Sequence, residues 1–197
     1  EPVRGRLAEL AEKIKSYGTE VLSIHAVHAT IIYEWFKEWG KEIAEFAKAL
    51  GATNITLHPN NINKDKVAQD EALKNLEYFA GLYKDEVVFC IETFEGRRRV
   101  FTPDEIASFN LPMTLDTSHI RDDEKVWSLI KGYKERILNV HLSAREGAKQ
   151  HLPVDDFCKE VVRYLIDSKW NGNVIMEYLF EFHDQMSKDL TLLKAMQ

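Results

Sequence analysis

The chain lacks three features that would assign it to a special class of protein. It has only two cysteines, Cys90 in an apolar run and Cys158 in a helical pattern, which disfavours a disulfide framework and predicts a reducing, cytoplasmic environment. It has no apolar run near the roughly 18 residues of a membrane span, and its first residues are unlike a signal peptide. Its net charge of −6 makes a nucleic-acid partner less expected. We therefore expect no membrane association.

The chain does contain a repeated alternation of short apolar runs and amphipathic helical stretches. Its 197 residues, 45% of them hydrophobic, are enough for the core of one domain. Residues 154–167 have the spacing of an amphipathic helix, and another helical stretch ends at Gly51. Six runs between such stretches are typical of buried parallel strands: VLSIH, NITLH, VVFCIE, MTLD, ILNVH and NVIME.

The spacing of these runs predicts the fold class. Their ends are 24 to 36 residues apart, which suits one βα unit each, so we predict an α/β fold of the parallel (β/α) TIM type, as a single domain over residues 1–197. A closed barrel needs eight strands and about 250 residues. We therefore expect an incomplete barrel with six βα units and the first two missing. An open sheet, or completion by another subunit, is the alternative, and an uncovered edge would allow association into a homo-oligomer.

Each of the six runs ends in a side chain that can bind a metal ion: His25, His58, Glu92, Asp116, His141 and Glu177. Functional side chains of α/β barrels come from the carboxyl ends of the strands, so we predict that these six meet in one pocket. The first three would suit one divalent ion, and Glu92 with the last three would suit a second or only ion. Zinc, manganese, cobalt or magnesium is compatible with these ligands, with one or two ions bound.

Four further residues are candidates for contacts with a substrate. His119 in DTSH and His151 in QHLP are suited equally to binding a metal or a substrate. Arg145 follows His141 by four residues and could contact an anionic substrate. Lys149 has no acceptor and would repel a cation, so it suits a phosphate or an acidic group. His28 and the run 97–99 (RRR) are weaker candidates, with solvated loops as the alternative.

The segments IHA, LHPN, IETF, LDTSH, VHLSA, QHLP and IMEY together resemble the xylose isomerase-like barrel superfamily. That superfamily includes isomerases and epimerases of sugars and sugar phosphates, and AP endonucleases of the endonuclease IV type (AP endonuclease family 2). The resemblance spans residues 20–180. In the epimerase branch it implies one metal ion held by two glutamates, an aspartate and a histidine: Glu92, Glu177, Asp116 and His141.

In the nuclease branch the resemblance implies further zinc ligands. His25 and His58 would bind one more zinc ion. A third zinc would use His119 and His151 together with an aspartate, but this sequence has Lys149 where that aspartate would stand. The lysine disfavours a third zinc.

The favoured hypothesis is a divalent-metal-dependent isomerase or epimerase of a sugar, a sugar phosphate or a related polyol. The metal would hold adjacent substrate oxygens and stabilise an enediolate, while Glu92 and Glu177 exchange protons with carbon as the catalytic pair. One alternative is a zinc-dependent AP endonuclease that hydrolyses a phosphodiester at abasic DNA. A second is a truncated barrel without catalytic activity that binds a ligand or partner.

Overall fold

The computed structural model describes residues 2–26, 31–59, 66–84, 86–95 and 99–196. His28, Arg97 and Arg98, the weaker candidates from the sequence, lie outside the described residues. The chain divides into two compact units. The first unit is Glu1–Glu92 with Gly96–Thr102, and the second is Thr93–Glu95 with Pro103–Gln197.

The first unit alternates three helices with three parallel strands. Strand β2 is buried throughout and pairs in parallel with β1 on one side and β3 on the other. Its polar residues Asn54 and Thr56 are therefore buried together with Ile55 and Leu57. The elements in chain order are α1 (Pro2–Ser16), β1 (Ser23–Ala26), α2 (Phe36–Leu50), β2 (Asn54–Leu57), α3 (Lys66–Tyr83) and β3 (Val88–Glu92).

Aromatic side chains fill the space between the helices and the sheet of the first unit. The ring of Phe79 lies 5.3 Å from Phe36 and 4.6 Å from Phe89, measured between centroids. Gly40 lets α2 and α3 approach closely, because any side chain at this position would overlap the Phe79 ring. Helix α2 ends as predicted at Gly51, whose φ of 77° is the left-handed conformation that glycine adopts without a steric penalty.

The second unit is built around β5, which pairs in parallel with β4 and with β8. Aspartates cap two of its helices: Asp122 accepts from the N–H of Glu124, and Asp155 accepts from the N–H of Cys158. The elements in chain order are α4 (Pro103–Ser108), β4 (Met113–Asp116), α5 (Asp123–Tyr133), a 3-10 turn (Lys134–Arg136), β5 (Ile137–Leu142), β6 (Ala144–Glu146), β7 (Lys149–Leu152), α6 (Asp156–Asp167), β8 (Asn173–Met176), a 3-10 turn (Phe180–Phe182) and α7 (His183–Lys194).

The hairpin β6–β7 is an addition that the sequence did not predict. Its two strands pair antiparallel, and Gly147 at the turn has a φ of 58°. The hairpin stands between β5 and α6, so it extends the connection that follows the carboxyl end of β5. Connections at this end carry the functional residues in (β/α) barrels, which is why the hairpin matters for the site.

The described strands and helices confirm the predicted fold class. Six parallel strands, three in each unit, are joined through helices, as in a (β/α) TIM-type barrel with fewer than eight repeats in the part of the chain that the structure describes. Cys90 and Cys158 are both buried thiols. None of the described helices combines the length and the apolar character that crossing a membrane requires.

Candidate metal centre

Three predicted ligands of the first unit lie together at the carboxyl ends of its strands. His25 is in β1, His58 follows β2, and Glu92 is the last residue of β3. Oε2 of Glu92 is 2.8 Å from Nε2 of His58 and 3.6 Å from Nε2 of His25. The two Nε2 atoms are 2.9 Å apart. The parallel pairing of the three strands therefore brings together residues that are up to 67 positions apart in the chain.

The spacing of these three atoms fits a divalent cation. Tetrahedral ligands at zinc bond lengths of about 2.0–2.1 Å are separated from one another by about 3.3 Å. The observed separations of 2.8, 2.9 and 3.6 Å are centred near that value. Glu92 has no solvent exposure, whereas His25 and His58 are partly exposed. A buried carboxylate with two accessible imidazoles is a donor set that zinc and other borderline metals accept.

Arg99 is the described member of the arginine run, and it belongs to the first unit. Burial lowers the pKa of its guanidinium, and the negative charge of Glu92 acts in the opposite direction. The arginine therefore adds positive potential to the surroundings of Glu92. Whether it contacts a substrate stays a prediction.

In the second unit, Asp116 is held by the chain that follows it. Its Oδ1 accepts from the N–H of Ser118 at 2.7 Å, from the Ser118 hydroxyl at 2.9 Å and from the N–H of His119 at 3.0 Å. The N–H of Asp116 donates to the Thr93 hydroxyl oxygen at 3.0 Å. These bonds fix the carboxylate, and Oδ2 lies 3.5 Å from Nδ1 of His119. Asp116 is therefore oriented before any ligand binds.

His119 and His151 meet beside this aspartate. Their Nε2 atoms are 3.2 Å apart, and the Phe94 ring lies against His119 at 4.2 Å between centroids. One donor atom each from Asp116, His119 and His151 lie within 4.8 Å of one another, a grouping that can hold a metal ion. The structure thus brings together the two histidines that the sequence predicts to bind a metal or a substrate.

The remaining predicted ligands also form a close pair in the second unit. Nδ1 of His141 is 2.9 Å from Oε2 of Glu177, and the imidazole is buried while the carboxylate is about one third exposed. The parallel pairing of β5 with β8 produces this contact, because His141 is in β5 and Glu177 directly follows β8. A buried imidazole beside a partly exposed carboxylate has the donor chemistry of a divalent metal site with solvent access.

The two predicted basic contacts of the substrate differ in their surroundings. Arg145 lines a polar cavity of about 110 Å³ together with Thr117, Ser143 and the carboxylates Asp123 and Asp155. Lys149 is exposed and extends to Glu181, with 2.9 Å between Nζ and Oε1. Its ammonium also lies 5.0 Å from the centre of the Phe182 ring. The negative charge of Glu181 offsets the positive charge of Lys149. Substrate contact by Arg145 or Lys149 stays a prediction.

Several supporting residues were not singled out from the sequence. Ser118 and Thr93 bind Asp116, and the Ser143 hydroxyl lies 3.5 Å from Nδ1 of His151. The segment DTSH did contain a signal for Ser118, because an aspartate that bonds to the chain two and three residues later forms an Asx turn. Thr93 and Ser143 depend on contacts distant in the chain, which no local pattern indicates.

Comparisons with known proteins agree with the fold. The family model described as "Xylose isomerase-like TIM barrel" matches residues 2–196. No curated protein sequence matches the chain. A D-tagatose 3-epimerase-like protein is similar in structure, with a TM-score of 0.72, 16% identity, and coverage of 96% of this chain and 84% of that one.

Two other solved structures are also similar. The 3-keto-D-glucoside 4-epimerase YcjR from E. coli has a TM-score of 0.72 and 15% identity, covering 98% of this chain and 85% of that one. The IOLI protein with a bound zinc atom has a TM-score of 0.66 and 13% identity, covering 96% and 79%. At such identities the likeness establishes the fold. With the family match over nearly its whole length, the chain belongs to the xylose isomerase-like TIM barrel family.

Proposed function

We propose that the chain is a divalent-metal-dependent isomerase or epimerase of a sugar, a sugar phosphate or a related polyol. The observation that carries this proposal is a glutamate at a strand end against an imidazole nitrogen in each unit: Glu92 at 2.8 Å from His58, and Glu177 at 2.9 Å from His141. Family membership supports it, as do structural neighbours that are epimerases or epimerase-like by name.

The proposed ligands of the essential metal ion are Glu92, Asp116, His141 and Glu177, and His25 with His58 would serve a second ion. Their donor set of carboxylate oxygens and imidazole nitrogens suits zinc or manganese. When bound, such a cation supplies Lewis acidity toward the carbonyl and hydroxyl oxygens of a sugar. The hydrogen bonds to Oδ1 of Asp116 support this role, because they orient the carboxylate in advance.

Glu92 and Glu177 would carry the proton transfer. One carboxylate removes the proton from the carbon next to the carbonyl, and the other returns a proton to carbon at the end of the reaction. Glu92 is fully buried and Glu177 is about one third exposed, so the two carboxyl groups are in different environments. His119 and His151 would orient substrate hydroxyls through hydrogen bonds.

Exchange of substrate hydrogen with solvent tests the proposal. The protein, loaded with manganese or zinc, is incubated in D2O with a panel of ketoses, aldoses and their phosphates, and carbon-bound hydrogen is followed by NMR. We expect deuterium to enter at a carbon next to the carbonyl of at least one sugar, and EDTA to stop the exchange. Metal-loaded protein that exchanges no hydrogen on any of these sugars would contradict the proposal.

A second candidate function is hydrolysis of abasic DNA. The additional imidazoles favour it, because His25 and His58 both contact Glu92 and would supply ligands for a further zinc. Lys149 counts against it, since its ammonium is directed to Glu181 at the position where the nuclease branch has an aspartate. Incision of an abasic duplex by zinc-loaded protein, with loss of incision in Glu92→Gln, would establish this function in place of the first.

A further inference from the structure

A buried polar network stands directly behind Glu177. Tyr178 is the next residue, and its side chain is buried, as is Asp189 in α7. The Tyr178 hydroxyl donates to Oδ2 of Asp189 at 2.7 Å, and Nε2 of Gln185 donates to Oδ1 of Asp189 at 2.9 Å.

The same hydroxyl also binds the chain that follows the hairpin. It accepts the N–H of Val154 at 2.9 Å, in the connection between β7 and α6. The next residue, Leu179, donates its N–H to the carbonyl oxygen of His151 at 2.9 Å. Two hydrogen bonds from consecutive residues therefore attach the segment after β8 to both ends of the stretch from His151 to Val154.

This attachment acts on a residue in a costly conformation. His151 has a φ of 58°, which residues with a side chain adopt rarely because Cβ crowds the carbonyl oxygen. Such a conformation persists where the surroundings fix it, and here the carbonyl of His151 is fixed by Leu179. The ring of His151 reaches to within 3.2 Å of His119 from this backbone. The two residues that follow Glu177 and the backbone of His151 are thus held by one set of bonds.

We infer that Tyr178 is a positioning residue, which through Asp189 and Val154 fixes the directions in which Glu177 and His151 present their side chains. The inference rests on the proposed function for the role of Glu177 as a metal ligand. Its physical reason is that the tyrosine hydroxyl is both donor and acceptor at one point, joining α7, β8 and the connection before α6. Phenylalanine keeps the ring and its packing but can form neither bond.

The test compares Tyr178→Phe with a matched control in the same unit. Trp170→Phe also removes one side-chain hydrogen bond, from Nε1 to the carbonyl of Ile137 at 2.8 Å, but at the amino end of β5. Zinc affinity is measured by competition with a chelating dye, and the protection of backbone amides is measured by hydrogen exchange. We expect Tyr178→Phe to weaken zinc binding about tenfold, as loss of a group that supports a ligand does. Trp170→Phe should bind zinc like the wild type.

Hydrogen exchange separates this inference from the proposed function. In Tyr178→Phe the amides of Val154 and Leu179 should exchange faster than in Trp170→Phe at equal thermal stability. If Tyr178→Phe matches the control in both zinc affinity and exchange at these amides, the inference is overturned. If Glu177→Gln binds zinc like the wild type, Glu177 is no ligand and the proposed function loses that ligand. In that case hydrogen exchange at the amides of Val154 and Leu179 alone tests the role of Tyr178. Faster exchange in Tyr178→Phe would support the inference, and unchanged exchange would refute it.

Discussion

The histidine and carboxylate clusters of the two units are organised differently. In the first unit, Oε2 of Glu92 lies against two imidazole nitrogens at 2.8 and 3.6 Å, so these side chains contact one another directly. In the second unit, Asp116 is oriented by its own loop through three bonds to Oδ1. Hydrogen bonds from the loop orient the Asp116 carboxylate before any cation binds. The direct contacts between Glu92 and the imidazoles, in contrast, would be replaced by bonds to the cation. We therefore expect the bonds to Asp116 to contribute to folding stability without metal, and the direct contacts of Glu92 to respond most to metal.

Glu92→Gln should have the largest effect on activity. The substitution keeps the shape of the side chain but removes the base and the negative charge, so the rate of deuterium exchange should fall by at least about 100-fold. The control is Glu86→Gln, an exposed first-unit glutamate paired with Lys48 at 2.7 Å, which should exchange at the wild-type rate. If Glu92→Gln exchanges deuterium at the wild-type rate, Glu92 has no part in the proton transfer.

Asp116→Ala should have the largest effect on stability. Its loss leaves the buried N–H groups of Ser118 and His119 without the acceptor at Oδ1, and each buried donor without an acceptor costs about 1–3 kcal/mol. We expect the free energy of unfolding, measured by urea titration in EDTA, to fall by about 3 kcal/mol. The half-buried Glu95, whose Oε2 accepts the N–H of Arg121, is the control, and its alanine variant should lose less than about 1 kcal/mol. Equal losses in both variants would show that the loop does not stabilise through Asp116.

His58→Ala should separate metal binding from stability in the first unit. Removal of one of the two imidazoles beside Glu92 should lower zinc affinity by about tenfold or more, since changes to groups around a metal commonly cost 10–100-fold. The unfolding midpoint in EDTA should change little, because the imidazole is one third exposed. His183→Ala, at the exposed start of α7, is the control for loss of a histidine. A variant that keeps full zinc affinity would exclude His58 as a ligand.

Lys169→Gly should have the smallest effect, and it should be stabilising. Lys169 follows α6 with a φ of 53°, the conformation in which Gly51 ends α2 of the first unit. A residue with Cβ pays about 1 kcal/mol for this conformation, so glycine should raise the free energy of unfolding by up to about that amount. The reciprocal variant Gly51→Ala should lower it by a similar amount. Opposite signs in urea unfolding are expected, and a shared sign would contradict the steric explanation.

The fold and the positions of the candidate ligands were largely predictable from the sequence. Strands β2 to β5 are short, almost wholly buried and rich in apolar residues, so their ends could be located between the helical stretches. The residues that follow or close those runs then had to lie at the carboxyl ends. His58, Glu92, Asp116 and Glu177 are therefore predictable from the sequence as residues at the carboxyl ends of strands. The first run was placed less well, since Val21 and Leu22 precede β1 and His25 lies inside it.

The hairpin and the supporting bonds were not predictable, for a physical reason. Residues 144–152 (AREGAKQHL) have no apolar alternation, so only Gly147 gave a weak indication of a turn. Tyr178 and Asp189 are separated by 11 positions and bond only because α7 packs beside the end of β8. Hydrogen bonds of this kind depend on how helices and strands pack against one another. The hydrophobic periodicity of the sequence does not show this packing.

Diffraction from crystals grown with manganese, measured with anomalous scattering at the manganese edge, would show directly whether the four proposed ligands bind one metal ion. We expect an anomalous peak whose ligands are Glu92, Asp116, His141 and Glu177. A well-ordered structure in which manganese is absent from these four side chains, or is bound by other residues, would contradict it.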